Sequence, residues 1–466
     1  MFDAIINLIN EALYSYILII LLVLGGLYFT LRTRFAQFRL LGEQFKSLKD
    51  KPKGKNGVSS FQALMVSTAS RVGTGNIIGV STALCLGGFG SVFWMWIIAI
   101  VGGASAFVES TLAQIFKKKG DGGCHGGPSY YIEQGLNSRW LALVFSALLI
   151  ITYGVGFNML ASYNLQSTFS AYPFYNEVYT PWIIGAILAL IVGYCLMGGG
   201  KRIVRITGVL VPIMGLAYIA IALIVTLINF TALPSIFAKI FSEAFDAGAI
   251  FGGFGGSCVM YGIKRGLFSN EAGVGSAPNA SASAEVEHPV RQGLVQVLSV
   301  FIDTLLVCSA TAFMCMSSGI EPSKALSGAP YIQAALSKAL GVFGPLFITV
   351  AMVLFAFTTL IGNLYYVDKC VIHILKKEPK KWLKRTIYVV ASLLIFIGAG
   401  LSADLLWNLA DITMGAMTLI NIPVIIILGK YAFRALADYD KQRKQGKNPT
   451  FKAEDIGLGG KTEYWQ

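Results

Sequence analysis

Apolar runs of roughly 18 to 25 residues recur from one end of the chain to the other, and a run of that length matches a helix crossing a bilayer. In hydrocarbon every backbone N–H and C=O must be paired inside the segment, so such runs fold as helices. Eleven spans are predicted, near 14–31, 61–86, 91–116, 140–166, 181–198, 203–229, 244–266, 291–316, 345–372, 386–401 and 404–429. Charged residues make up 13% of the chain, against about 25% in a typical soluble domain. The first run, Tyr14 to Leu31, has basic residues after it and none before it. A signal peptide has the opposite charge order, so this run reads as a true span. The fold class is an all-α, multi-pass membrane protein.

A net charge of +13 raises the question of nucleic acid, and position answers it. With the N-terminus outside, the inner stretches are Arg32 to Lys55, Lys117 to Arg139, Lys201 to Arg205, Lys264 to Arg291, Lys369 to Arg385 and the tail from Lys430. They hold 33 of the 37 Lys and Arg residues. Lys239, Lys324 and Lys338 stay outside, and Arg71 falls within a span. The positive-inside rule then sets the N-terminus outside and the C-terminus in the cytoplasm. The basic balance follows from topology, and no nucleic-acid partner is expected.

The seven cysteines form no CxxC pair and read as small buried hydrophobes. His125, His288 and His373 all fall in or near inner loops, so a zinc centre or a histidine-based enzyme lacks ligands at membrane depth. Paired mid-span carboxylates suited to catalysis are also missing, and the chain is not expected to be an enzyme. The tail from Asp438 is polar and is expected to be mobile beyond a first helical turn or two. Between spans eight and nine, "EPSKALSGAPYIQAALSKALG" is too amphipathic to cross. It reads as a short helix over the outer face, suited to a lid, or as a plain connecting loop.

Two spans carry residues that hydrocarbon disfavours. Span two contains "RVGTGNIIGV", Arg71 to Val80, and span seven contains "FGGFGGSCVMYGIKRG", Phe251 to Gly266. Glycine costs about 1 kcal/mol in a helix relative to alanine and frees the backbone to leave helical dihedrals. The two segments stand five spans apart, an odd number, so they have opposite orientations. A pair of glycine-interrupted spans at matching positions of two halves points to an inverted-repeat transporter. The predicted organisation is an extra helix at 1–31, a basic linker at 32–60, a first five-helix repeat at 61–230, an inverted second repeat at 231–430 and a cytoplasmic tail at 431–466.

Unwound backbone in a membrane survives only where it lines a cavity or is covered by protein. There, carbonyls at the end of one half-helix can coordinate a cation, and amides at the start of the next can bind a carboxylate. Such a site suits a zwitterion travelling with Na⁺. Either segment alone reads equally well as helix packing, since Gly75-x-x-x-Gly79 is a small-xxx-small stripe. The matched pair, with Thr74 and Asn76 beside the glycines, favours a site. Span nine supplies Thr358 and Thr359 as hard-oxygen ligands for the cation, with Gly73 at the break; threonine hydroxyls also back-bond to their own helix. Arg71 lies before the glycine break and reads as part of an inner gate, paired with Glu109, Glu271 or Asp368. Asp303 in span eight reads equally as a structural carboxylate and as an influence on cation binding.

The stretches "GTGNIIGV", "GGFGSVFWMW", "GGPSYYIEQGL", "KRGLFSNEAGVGSAP" and "FIDTLLVC" resemble the alanine/glycine:cation symporter family, and the likeness runs from about Phe61 to Gln466. The resemblance implies a leucine-transporter-type 5+5 inverted-repeat fold in a prokaryotic plasma membrane. It implies Na⁺-driven, sometimes H⁺-driven, uptake of small neutral amino acids with no organic cofactor. It also implies that Thr74, Gly75 and Asn76 line the substrate together with the span-seven stretch holding Phe251, Gly252, Gly253, Gly255 and Ser257. Thr358 and Thr359 match the family's sodium-site hydroxyls. This chain departs at Ala161, where the family often has a glutamine that contacts substrate, and at Tyr261 and Asn363, where tryptophan is common. These departures bear on substrate size. An H⁺-coupled symporter and an ion channel are the rival readings; broken-helix repeats favour an occluded site over a continuous pore.

Overall fold

The computed structural model describes the chain except residues 1–7, 53–56, 121–122, 247–257 and 466. Long helices Leu18–Arg32, Gly90–Ile115, Thr180–Leu196, Gly199–Ile228, Phe343–Leu375, Lys381–Ala399 and Ala403–Lys444 form spans one, three, five, six, nine, ten and eleven. Spans two, four and eight are composite, each containing a widened π-type turn at Gly75–Gly79, Ile150–Gly156 and Phe301–Cys308. Such turns spoil the regular i→i−4 ladder and often mark functional positions. Span seven is described from Cys258 to Asn270.

Burial separates an apolar shell from a polar centre. Spans five, six and ten present Leu190, Ile191, Ile213, Leu216 and Leu393 outward, each more than half exposed, as lipid-facing residues must be. Span two from Ala63 to Cys85 and the stretch Pro289–Val300 of span eight are buried on every face. Span three packs against both span seven and span eight. Its approach to span seven depends on glycine: a Cβ at Gly262 would stand 2.5 Å from the Ser91 carbonyl oxygen, and one at Gly266 would stand 2.6 Å from Ile98. In lipid, close packing of this kind replaces hydrophobic burial as the force between helices.

The structure corrects two expectations. Span seven does not end at Gly266 but continues to Asn270, so Lys264 and Arg265 lie inside it rather than in a basic loop. Both reach Asp411, eight residues into the helix Ala403–Lys444. Aromatic ring faces lie against their charged ends, with the Arg265 guanidinium carbon 4.0 Å from the Trp407 ring centroid and Lys264 Nζ 4.8 Å from that of Tyr14. The tail is not mobile either. Helix Ala403–Lys444 runs well past Asp438, and the residues after it fold back so that Phe451, Ile456, Leu458 and Trp465 are buried. Trp465 Nε1 donates to the Gln114 carbonyl at 2.7 Å, and Lys117 Nζ lies 4.0 Å from the Tyr464 ring. The tail's aromatics supply an apolar face that its polar composition conceals.

The segment between spans eight and nine forms a helix, Ala329–Leu340, tied to span two by Ser81 Oγ donating to the Gly328 carbonyl at 2.6 Å. A second short helix, Leu233–Ala244, precedes span seven, and a small hairpin, Lys118–Gly120 with Gly123–His125, follows span three.

Candidate functional site

Span two starts with a capping box, in which Ser59 and Gln62 satisfy each other's backbone amides. Its first half, Ser60–Arg71, stops because Val72 turns to ψ 86°, well outside the helical range. The Gly73 N–H, left without a helical acceptor, donates to Asn76 Oδ1 at 2.8 Å. Asn76 therefore bridges the interruption. Its Nδ2 donates onward to Asp303 Oδ1 at 2.8 Å. Both ends of the Asn76 amide are committed to protein, so this side chain shapes the break.

Span nine closes against the same point. A Cβ at Gly73 would overlap Thr359 Oγ1, so only glycine allows this approach. Thr359 Oγ1 is buried and has no hydrogen-bond partner among the described residues. A buried hydroxyl left unpaired costs about 1–3 kcal/mol, and a coordinated cation would offset that cost. Thr358 behaves differently: its hydroxyl donates back to the Leu354 and Phe355 carbonyls at 3.0 and 3.1 Å, and it faces Met214. The structure brings Gly73 and Thr359 together and leaves Thr358 turned toward span six.

Asn164 Nδ2 donates to Thr74 Oγ1 at 3.2 Å, linking span four to the break. Ala161, one turn earlier, is buried. Gly75 lies against Phe268, whose ring packs between Phe157 and Trp407 at centroid distances of 4.6 and 4.8 Å. Phe251, Gly252, Gly253, Gly255 and Ser257 lie outside the described residues.

The expected ion pair of Arg71 is not formed. Arg71 is buried and its Nη1 donates to the neutral Gln296 Oε1 at 3.0 Å. Glu109 instead accepts from Asn421 Nδ2 at 2.9 Å and from the Gly273 N–H at 3.3 Å. Glu271 is held by Ser276 Oγ at 2.5 Å, with Ser70 Oγ at 3.2 Å. Asp368 accepts from Tyr388 Oη at 2.7 Å and lies 3.4 Å from Lys384. Asn363 joins this polar interior: its Oδ1 accepts from Ser70 Oγ at 2.6 Å and its Nδ2 donates to Asn158 Oδ1 at 3.0 Å.

Two cavities flank the break. One, of about 1090 Å³, is lined by Ile78, Asn164, Tyr261, Arg265, Trp407 and Asp411 and opens past residues 327–330 and 400–404. The other, of about 980 Å³, is lined by Val58, Gln62, Lys201, Arg205, Tyr365 and Lys369 at the opposite, basic end. Gly73, Asn76 and Thr359 line neither. Two participants escaped sequence reasoning: Gln296 and the Lys264–Arg265–Asp411 cluster. The signal for the first was present, because Gln292 and Gln296 are polar residues four apart in an apolar run.

The model of the "Sodium:alanine symporter family" matches residues 1–453. The chain is 42% identical over 466 residues to "Amino-acid carrier protein AlsT" of Bacillus subtilis, covering 100% of this chain and 98% of the relative. It is likewise 42% identical to "Probable sodium/glutamine symporter GlnT" of Bacillus subtilis, covering 99% and 96%. Among solved structures, the Eremococcus coleocola manganese transporter in complex with an aromatic bis-isothiourea substituted compound shares the fold. Its TM-score is 0.55 at 13% identity, over 88% of this chain and 93% of that one.

Proposed function

Because the chain belongs to the sodium:alanine symporter family, a family of transporters and not of enzymes, we propose that it imports a small neutral amino acid together with Na⁺ by alternating access. Spans two to six and seven to eleven serve as the two inverted repeats of a leucine-transporter-type fold, with span one as an addition. The N-terminus faces outward, and the basic end with the C-terminus faces the cytoplasm of a prokaryotic cell. The cavity lined by Trp407 and Asp411 then admits substrate, and the basic cavity releases it.

The observation that carries this reading is the unpaired Thr359 hydroxyl set against the interruption at Gly73. Hard oxygens from one helix and freed backbone from another are the donor set that a Na⁺ ion takes at a broken helix. Uptake by proteoliposomes, with Na⁺ and pH gradients imposed separately, tests the proposal. Saturable accumulation driven by the Na⁺ gradient supports it, whereas accumulation under the pH gradient alone establishes the H⁺-coupled alternative. Conductance without saturation establishes a channel.

The Thr359 geometry makes the coupling testable at one residue. Thr359→Val is near-isosteric and removes one hard ligand from a charged species, a loss of ~1.5–3 kcal/mol. The half-saturating Na⁺ concentration for alanine uptake rises about ten- to a hundredfold, while Thr358→Val, whose hydroxyl bonds its own helix, changes it by less than about threefold. Equal effects of the two substitutions would remove Thr359 from the ion site.

Substrate choice rests on Ala161 and Asn164. The Asn164–Thr74 bond supports a pocket wall in which a shorter amide occupies part of the space that a glutamine at 161 would fill. The proposed substrates are alanine and glycine with somewhat larger neutral amino acids tolerated, and a glutamine-named relative at 42% identity is consistent with that range. Ala161→Gln narrows the range toward alanine and glycine, because filling the space costs larger substrates about 1–3 kcal/mol. Competition against labelled alanine measures this, and identical inhibition profiles before and after the substitution refute it.

A further inference from the structure

The segment 271–288, between spans seven and eight, runs from the break in span two to the start of that span, and residues 271–284 are buried throughout. At one end Glu271 Oε1 accepts from Ser70 Oγ at 3.2 Å, just before Arg71. At the other end the Glu285 N–H donates to the Val58 carbonyl at 3.0 Å, and Val58 lines the basic cavity. Span three pins the same stretch. Gln114 Nε2 donates to the Ser281 and Ala284 carbonyls at 2.5 and 3.0 Å, and Lys117 Nζ donates to Ala284 at 2.8 Å. The segment is a plug that substrate passing from the break to the basic cavity has to displace.

Residues 447–465 brace the two side chains that pin the plug. Trp465 Nε1 donates to the Gln114 carbonyl at 2.7 Å, and the Tyr464 and Trp465 rings stand 4.0 and 5.1 Å from Lys117 Nζ. Lys117 is fully buried. An ammonium in a dry interior needs compensation, and the negative faces of these two rings supply it. Without them water reaches the ammonium, and its hold on the Ala284 carbonyl weakens. The braces also touch the far end of the plug. Phe451 lies 5.2 Å from the Trp465 ring and 5.2 Å from the ring of His288, the residue that caps span eight. Asn448 Nδ2 donates to Glu287 at 2.7 Å, and Lys118 meets Glu463 at 3.0 Å. These last two contacts are at the surface, where water competes and little stability is gained. The aromatic anchor is what holds the segment down, and it sits outside the spans, so it can detach while they stay folded.

We infer that residues 447–465 form a releasable strap on the 271–288 plug, and that Tyr464 and Trp465 detach from Lys117 and Gln114 before the protein opens toward the basic cavity. The inference goes beyond the transport reading and rests on it, since a strap that limits release requires alternating access. Two measurements on the full-length protein test it. Cys124 is buried and faces Tyr464, so its reaction with a small maleimide, assigned by mass spectrometry, reports release of the strap. Equilibrium exchange of labelled alanine by proteoliposomes at saturating Na⁺ reports turnover. Trp465→Ala raises Cys124 labelling about tenfold and alanine exchange about threefold. Lys117→Met, which removes the ammonium and keeps its stem, raises exchange in the same direction. If Trp465→Ala fails to fold, Trp465→Phe, which keeps a ring but loses the donor to Gln114, decides the matter by smaller increases in both readouts. Faster labelling with unchanged or slower exchange overturns the inference, because the segment is then a cover and no strap. Unchanged labelling and exchange in the folded variants overturn it as well. A wild type that exchanges neither alanine nor any other neutral amino acid overturns the transport reading, and the inference falls with it.

Discussion

Gly73→Val lowers Na⁺-driven amino-acid uptake about a hundredfold while leaving the protein in the membrane. The first carbon of any side chain at this position overlaps Thr359 Oγ1. The overlap is with the Cβ-attached hydroxyl of a buried, β-branched residue, which has little freedom to turn away. Span nine must move outward or the break must close. Either movement disturbs the hydroxyl–carbonyl arrangement proposed to hold Na⁺. Overpacking of a filled interior costs about 1–3 kcal/mol, and the upper end of that range, placed on the ion site, lowers uptake about a hundredfold. Insertion is unaffected because valine is favourable in a span. Gly75→Ala is the milder comparison, since its new methyl meets the Phe268 ring at 2.8 Å, and a ring can shift more easily than a hydroxyl fixed at Cβ. Transport by Gly73→Val within a few-fold of wild type, at equal surface expression, would falsify the assignment of this contact to the ion site.

Asp411→Ala destabilises the folded protein by about 3 kcal/mol. The Asp411 carboxylate is fully buried and faces two cations, Lys264 Nζ at 2.9 Å and Arg265 Nη1 at 3.2 Å. Removing it leaves two like charges together, and a buried charge stripped of its partner costs about 3–5 kcal/mol. The cluster lines the cavity of about 1090 Å³, so solvent relieves part of that penalty and about 3 kcal/mol is expected. A thermal midpoint lower by about 3 °C follows from the usual relation between stability and melting for a chain of this length. Asn10, which accepts from Lys264 at 3.1 Å and donates to Asn408, becomes the remaining anchor, so Asn10→Ala in the Asp411→Ala background adds further loss. Midpoints unchanged in thermal unfolding of the detergent-solubilised protein would show that water already carries these charges.

The bilayer makes much of this architecture legible from sequence. A spanning helix is a local requirement, imposed residue by residue by the absence of water, so apolar length alone located the long helices. The interruption of span two was legible for the same reason: glycine, threonine and asparagine within an apolar run announce backbone that hydrocarbon would reject. Pairings between spans carry no such local mark. Thr358 and Thr359 are adjacent and chemically identical, and only the phase of span nine against Gly73 turned one toward the break and the other toward Met214. Asn76 had the composition of a ligand, yet Gly73 and Asp303 took both ends of its amide. Lys264 and Arg265 looked like the end of a span until Asp411, 146 residues away in sequence from Arg265, supplied the charge that lets them stay inside. Arg71 found a glutamine rather than a carboxylate. Hydropathy is a property of each segment and was set by the sequence alone, whereas counter-charge and hydrogen-bond partner are properties of distance between segments, which packing decided.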